Sequence, residues 1–375
     1  VFGAGTIFWS LGLDGPLRDA RLERMTANVF HEALQLPIPD ALQQPRAPAV
    51  PPTLGTPAAS SQVLAQGFVA PSSVAVLPGG ALAVTDAVDQ RVLRIAPGPS
   101  YAVSVIAGDG NVSANPAFDN VPGARARFFG PTGITADAAG NLYVADTHND
   151  CIRKIATDAQ NTTTTFAGGF HAGGFADGIG GAARFSKPMG IAYDAANDRL
   201  LVADGANQLV RAIQIATAEV TTFAGGGSAT QGPATTVRLR SPTAVAVASD
   251  GRIFVVCSGD STLWVVGTDP AHTAAALVSG GPGFGDGPGT SAKLMPQAGL
   301  VWGLGALYVS DPGNSRIRQV VPGSDAASTA VSTFAGTGRA DGSPAALGLP
   351  LGLAVIPGAL LVVDASSATV RAIPR

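Results

Sequence analysis

Beyond residue 60 the chain carries a single glutamate, Glu219. Charge is scarce throughout: Asp, Glu, Lys and Arg together make up 13% of the residues, and aromatics 6%. The net charge of −3 gives no broad attraction to phosphate backbones or anionic lipid, so no nucleic-acid partner is expected. No uninterrupted apolar run reaches the roughly 18 residues that a membrane span needs. Histidine is limited to His31, His148, His171 and His272. Lysine is nearly absent after residue 60, with Lys154, Lys187 and Lys293. Catalysis by paired glutamates, or by a three-histidine metal centre, has little to draw on here. The Gly-x-Ser-x-Gly nucleophile turn is missing, and no Gly-rich loop ends in Gly-Lys-Ser/Thr.

Glycine and proline are abundant instead, 48 and 28 of 375 residues. They punctuate a unit seen clearly in Pro131 to Ile155, PTGITADAAGNLYVADTHNDCIRKI. A turn at Pro131 and Gly133 opens a short apolar strand. A second turn at Ala139-Gly140-Asn141 leads into Leu142-Tyr143-Val144-Ala145, and Asp146 then opens a polar loop before a third strand. Copies begin at Pro71, Pro188, Pro242, Pro296 and Pro350, at intervals of 54 to 60 residues. A fixed period of this size is the mark of a repeat architecture. A fourth stretch recurs as Val105-Ile106-Ala107-Gly108, Thr165-Phe166-Ala167-Gly168, Thr222-Phe223-Ala224-Gly225 and Thr333-Phe334-Ala335-Gly336.

Six units of four antiparallel strands, with no helix between them, predict an all-β six-bladed β-propeller over residues 61–375. The sixth unit ends after its third strand at the C-terminus. Ser61 to Gly67 (SQVLAQG) is expected to supply the missing outer strand, with Val1 to Gly5 (VFGAG) as a rival.

Residues 1–60 do not repeat. Val1 to Leu13 is apolar, with Phe2, Ile7, Phe8 and Trp9 close together. Leu22, Met25, Val29, Ala33 and Leu36 then recur at helical spacing, predicting an amphipathic helix over about 16–35. A proline-rich strap, 37–57, follows and should be extended. This arm is expected either to fold back on the propeller or to engage another protein or a second copy, and Phe2, Ile7, Phe8 and Trp9 are its candidate partner-binding residues.

The phrases PTGITADAAGNLYVADTHNDCIRKI, TTTFAGGFHAGGFADGIGGAARFSKP and DPGNSRIRQVV resemble the NHL-repeat family. The resemblance covers 61–375 and leaves the arm unexplained. The fourth unit departs most, with Cys257 in place of an aspartate and Trp264 in place of an arginine. Fold relatives of this kind include peptidylglycine lyases, with a histidine-bound metal, and calcium-dependent lactonases, which use Glu, Asn and Asp in the central channel. Here the innermost strands, such as Val74-Ala75-Val76 and Val245-Ala246-Val247, offer almost no such side chains. No cofactor or metal is therefore expected.

The most regular polar feature is an aspartate ending each second strand: Asp86, Asp146, Asp204, Asp311 and Asp364. Arginine follows seven residues after four of them: Arg153, Arg211, Arg318 and Arg371. A cation-holding ring of carboxylates is one reading. Five copies suit a structural role better, with Asp accepting N–H bonds in the turn and pairing with Arg in its own blade. His148 and His171 fall on one face and could approach each other near Asp150 or Asp177, whereas His272 falls on the opposite face. Cys151 and Cys257, in different repeats at non-equivalent positions, read as small buried thiols. Asn111-Val112-Ser113 and Asn161-Thr162-Thr163 are glycan acceptor sequons. Together with a start at Val1 rather than Met, they point to a secreted or surface protein. The expected function is a non-enzymatic interaction or structural module. A divergent lyase or lactonase, or a ligand-sensing ectodomain of a larger protein, is the alternative.

Overall fold

The computed structural model describes residues 61–111, 119–295, 298–338 and 346–374. The arm, with its expected helix and strap and with Phe2, Ile7, Phe8 and Trp9, lies outside the described residues. The chain divides into two units, 1–50 and 51–375.

The second unit is a six-bladed propeller of antiparallel sheets. Blade 2 shows the plan: Pro131–Ala136 innermost, then Leu142–Asp146, Cys151–Ile155 and Thr163–Gly168 outermost. Leu, Val, Ala and aromatic residues fill the second strands, which are buried along their whole length in Leu142–Asp146 and Ile253–Cys257. Such near-continuous burial arises because each blade is covered on both faces by its neighbours. Six apolar clusters occupy these interfaces. One gathers Ala75, Val92 and Ala107 of blade 1 with Ile134, Val144 and Ile155 of blade 2. Another joins Val84 and Ile95 to Leu361, Val363 and Val370 of blade 6.

The ring is closed by Gln62–Gln66, which pairs antiparallel with Thr369–Pro374 as the outer strand of blade 6. Strands 310 residues apart in sequence are thus locked together, and Arg371 Nη2 reaches Ser61 Oγ at 2.6 Å.

Glycine is required where innermost strands meet. A Cβ on Gly190 would sit 2.6 Å from the Thr243 carbonyl of the next blade, and one on Gly133 would strike the Met189 carbonyl. Hydroxyls stitch the same hub. Thr85 Oγ1 donates to the Thr132 carbonyl at 2.6 Å, and Thr147 Oγ1 donates to the Pro188 carbonyl at 2.7 Å.

The uniform four-stranded blade is corrected by the structure. Blades 3, 4 and 5 have five strands, the fifth being Gly178–Ile179, Gln231–Pro233 and Gly287–Pro288. These segments belong to the Gly-rich loops, which the repeat pattern presents as turns. Each loop arrives from the preceding blade and lays two or three residues against the outer strand. A pairing that short leaves no period-2 pattern to read. Among the described residues there is no α-helix, and no helix long and apolar enough to cross a membrane.

Candidate functional site

The second-strand aspartates are buried inside their own blades rather than arrayed around a mouth. Asp146 Oδ1 accepts the Phe129 N–H at 2.6 Å, and its Oδ2 accepts Asn149 Nδ2 at 2.8 Å and Arg153 Nη1 at 3.4 Å. Asp204 takes the Ser186 N–H, Asn207 Nδ2 and Arg211 Nη1 at 2.8, 2.8 and 3.2 Å. Asp311 takes the Met295 N–H, Asn314 and Arg318 Nη1 at 2.8, 2.9 and 3.0 Å. Asp364 caps Gly348 and Leu349 and lies 3.7 Å from Arg371. Asp86 caps Val69 and Ala70, but position 93 is leucine and supplies no cation.

The arginines hold a second carboxylate that spacing alone does not reveal. Arg153 Nη2 faces Asp119 at 3.6 Å, Arg211 Nη2 faces Asp177 at 2.5 Å, and Arg318 Nη2 bonds Asp286. These acids come from the crossing loops. Asp177 also accepts from Thr222 on the outer strand, as Asp286 does from Thr333. Each arginine therefore clamps the second strand, the outer strand and the incoming loop together. Aromatic rings cover the guanidinium planes. Phe128 and Phe170 lie 5.4 and 5.0 Å from Arg153, and Phe175 and Phe185 lie 5.1 and 5.3 Å from Arg211. Two of these acids sit in Asp-Gly pairs, Asp177-Gly178 and Asp286-Gly287, a dipeptide whose usual meaning in a sequence is a turn.

Burial pushes the Asp146 carboxyl up to about 6, opposed by Arg153 and the N–H groups around it. Burial likewise raises Asp204, and in Asp86 it acts together with repulsion from Asp89. Burial also drives the Cys257 thiol up to about 12 and raises Cys151 well above its usual range.

His148 and His171 do come to one place, where both rings pack on Phe129 with centroids at 4.9 and 6.0 Å. Asp150 beside them accepts the Lys187 N–H at 2.9 Å, and Asp177 is engaged by Arg211. His272 packs apart from them, against Phe223. Among the described residues no three His, Cys, Asp or Glu side chains are placed to hold a metal ion. Asn111 is exposed, whereas Asn161 is half-buried at a left-handed turn.

The NHL repeat family model matches residues 128–155, the segment that carries the Asp146–Arg153 clamp. Residues 128–155 thus carry an NHL repeat within the six-bladed propeller. The chloroplastic protein SUPPRESSOR OF QUENCHING 1 of Arabidopsis thaliana is 26% identical to this propeller protein over 268 residues, 66% of this chain and 25% of that protein. NHL repeat-containing protein 2 of Bos taurus is 26% identical over 213 residues, 51% of this chain and 29% of its own. The chain thus spans less than a third of the curated relatives it matches. Among solved structures, a gluconolactonase of Xanthomonas campestris superposes with a TM-score of 0.56 at 13% identity, covering 88% of this chain and 99% of its own. At that identity the likeness is one of fold.

Proposed function

We propose that this NHL propeller is a non-enzymatic protein-interaction module, with the propeller as scaffold and residues 1–60 as an assembly element. The observation that carries the reading is the fate of the ionic groups. Arg153, Arg211 and Arg318 are fully buried, and each is held by two carboxylates and by carbonyls of the incoming loop. These charges knit strands together and present nothing to a substrate. The inner strands contribute apolar side chains such as Val74, Ile134, Ile191 and Val245. Glu219 sits exposed on an outer strand. Among the described residues this lactonase-like fold carries no other glutamate.

The assembly role rests on Phe2, Ile7, Phe8 and Trp9, an apolar group with no place in the repeat. An extracellular setting is part of the same proposal and rests on the two sequons, of which Asn111 is the exposed one. The word chloroplastic belongs to the name of the Arabidopsis relative.

Light scattering on the full chain, beside a Phe8→Ser/Trp9→Ser variant, tests the assembly role. The expected result is a multiple of the chain mass for the native protein and a single chain for the variant. Equal masses would remove the arm from the proposal. Turnover of a lactone or ester in the presence of calcium, co-purifying with the protein, would overturn the non-enzymatic reading.

A further inference from the structure

Blade 1 differs from blades 2 to 5 at its outer edge. In blades 3, 4 and 5 a fifth strand covers the outer strand, and in blade 2 Val121 bridges to Thr163. The chain reaches these blades through long crossings, 19 residues between Gly168 and Pro188. Only the four residues from Gly67 to Ala70 precede blade 1, because the segment before them is consumed in closing the ring. No described residue pairs along the outer side of Val103–Ala107.

That strand, VSVIA, has no charge and no proline. Natural sheets usually blunt an edge with one or the other, and the short fifth strands of blades 4 and 5 do end in Pro233 and Pro288. The Ala96 N–H donates to the Ala102 carbonyl, and Ser104 pairs with Arg94. By the alternation of an antiparallel ladder, the backbone N–H and C=O of Val103 and Val105 are directed away from the sheet. Val105 is 48% exposed.

Beside this edge, between blades 1 and 2, runs a groove of about 390 Å³. Leu77 and Ile106 wall it on one side and Leu142 and Ile155 on the other, with Arg94 and Thr157 among its polar groups. Arg94 is exposed and meets no carboxylate among the described residues. A second copy of the same strand would bring no acidic group to Arg94. The charge therefore favours a different occupant.

We propose that the outer edge of blade 1 is a strand-addition site for an extended protein segment alternating apolar and acidic residues. Its backbone pairs with Val103 and Val105, its apolar side chains enter the groove, and a carboxylate meets Arg94. The site rests on the protein-interaction reading and gives it a partner chemistry.

The full chain is titrated, by fluorescence anisotropy, with labelled seven-residue peptides alternating valine with glutamate or valine with lysine. The glutamate peptide is expected to bind saturably and at least tenfold more tightly than the lysine peptide. Arg94→Glu should reverse that preference. Val105→Pro, which removes an outward N–H without touching the native ladder, should weaken the glutamate peptide at least tenfold. If circular dichroism shows Val105→Pro misfolded, Arg94→Glu decides alone. Equal affinity for both peptides, no saturable binding, or indifference to Arg94→Glu overturns the proposal. So does a dimer that Val105→Pro dissolves, since a second copy would then hold the edge. The peptide outcomes leave the arm's mass measurement and the turnover assay unaffected, so failure there is distinct from failure of the scaffold reading, and a dimer held by the edge is told from one held by the arm by which variant dissolves it.

Discussion

Arg211 Nη2 lies 2.5 Å from Asp177, a residue delivered by the loop from the preceding blade, while Arg211 Nη1 lies 3.2 Å from Asp204 in its own blade. One fully buried guanidinium thus joins two blades, and removal of either acid has a different consequence.

Replacing the cation alone strands a buried carboxylate. Arg211→Met should cost about 3–5 kcal/mol of unfolding free energy, because Asp204 loses its counter-charge in an apolar surround. The double variant Asp204→Val/Arg211→Met should recover most of that loss. Blade 4 shows such an apolar solution, with Cys257 and Trp264 at the equivalent places and Trp264 Nε1 bonded to Thr262 Oγ1 at 2.9 Å. Urea unfolding of the three proteins checks the order. A double variant no more stable than the single would refute the account.

The loop acid should matter far less. Asp177 keeps 48% of its side-chain surface in solvent, so water screens its pair with Arg211. Asp177→Asn should cost about 1 kcal/mol or less. A loss as large as that of Arg211→Met would mean that the crossing loop, rather than the blade interior, sets the stability of this joint.

Acidity should help the Asp146 clamp. A carboxyl raised from 3.8 to about 6 on folding binds its proton more tightly in the native state. Its contribution is fully present below pH 3.8 and declines as pH rises through about 6, then stays constant. At about 1.4 kcal/mol per pKa unit the decline has an upper bound of about 3 kcal/mol. Asp86 and Asp204 are raised in the same direction. Asp146→Asn lacks the titration. The stability difference between the native protein and this variant should therefore shift toward the variant from pH 4 to pH 6.5 and flatten above. A difference that is flat across this range rules the mechanism out.

Crowding at the hub gives a steric test. Gly190→Ala forces a methyl to 2.6 Å from the Thr243 carbonyl and should cost about 1–3 kcal/mol, read as a lower thermal midpoint. An unchanged midpoint would show that the inner strands can part without penalty.

The two thiols should be silent in the native state. Cys151 and Cys257 are unpaired, have no exposed surface and have raised thiol pKa values. A disulfide reagent at pH 8 should find two thiols only after unfolding, since the thiolate is the reactive form. Rapid native labelling of either would place it at an opening surface.

The amino-acid sequence by itself determined the period, and with it the blade count, the four principal strands and the Asp–Arg pairs seven residues apart. These are local relations. A turn residue, an alternating apolar strand and a polar loop recur whatever their neighbours do, and Arg153 reaches Asp146 because the register sets it opposite Val144, two residues from Asp146 on the same strand. The tertiary structure alone decided the rest. Asp119, Asp177 and Asp286 reach their arginines only once the crossing loops lie over the following blade. The fifth strands are too short to carry a pattern of their own, and the uncovered edge of blade 1 follows from ring closure, which leaves four residues where other blades have a long crossing. A single unit contains no record of which blade must give up its cover to close the circle.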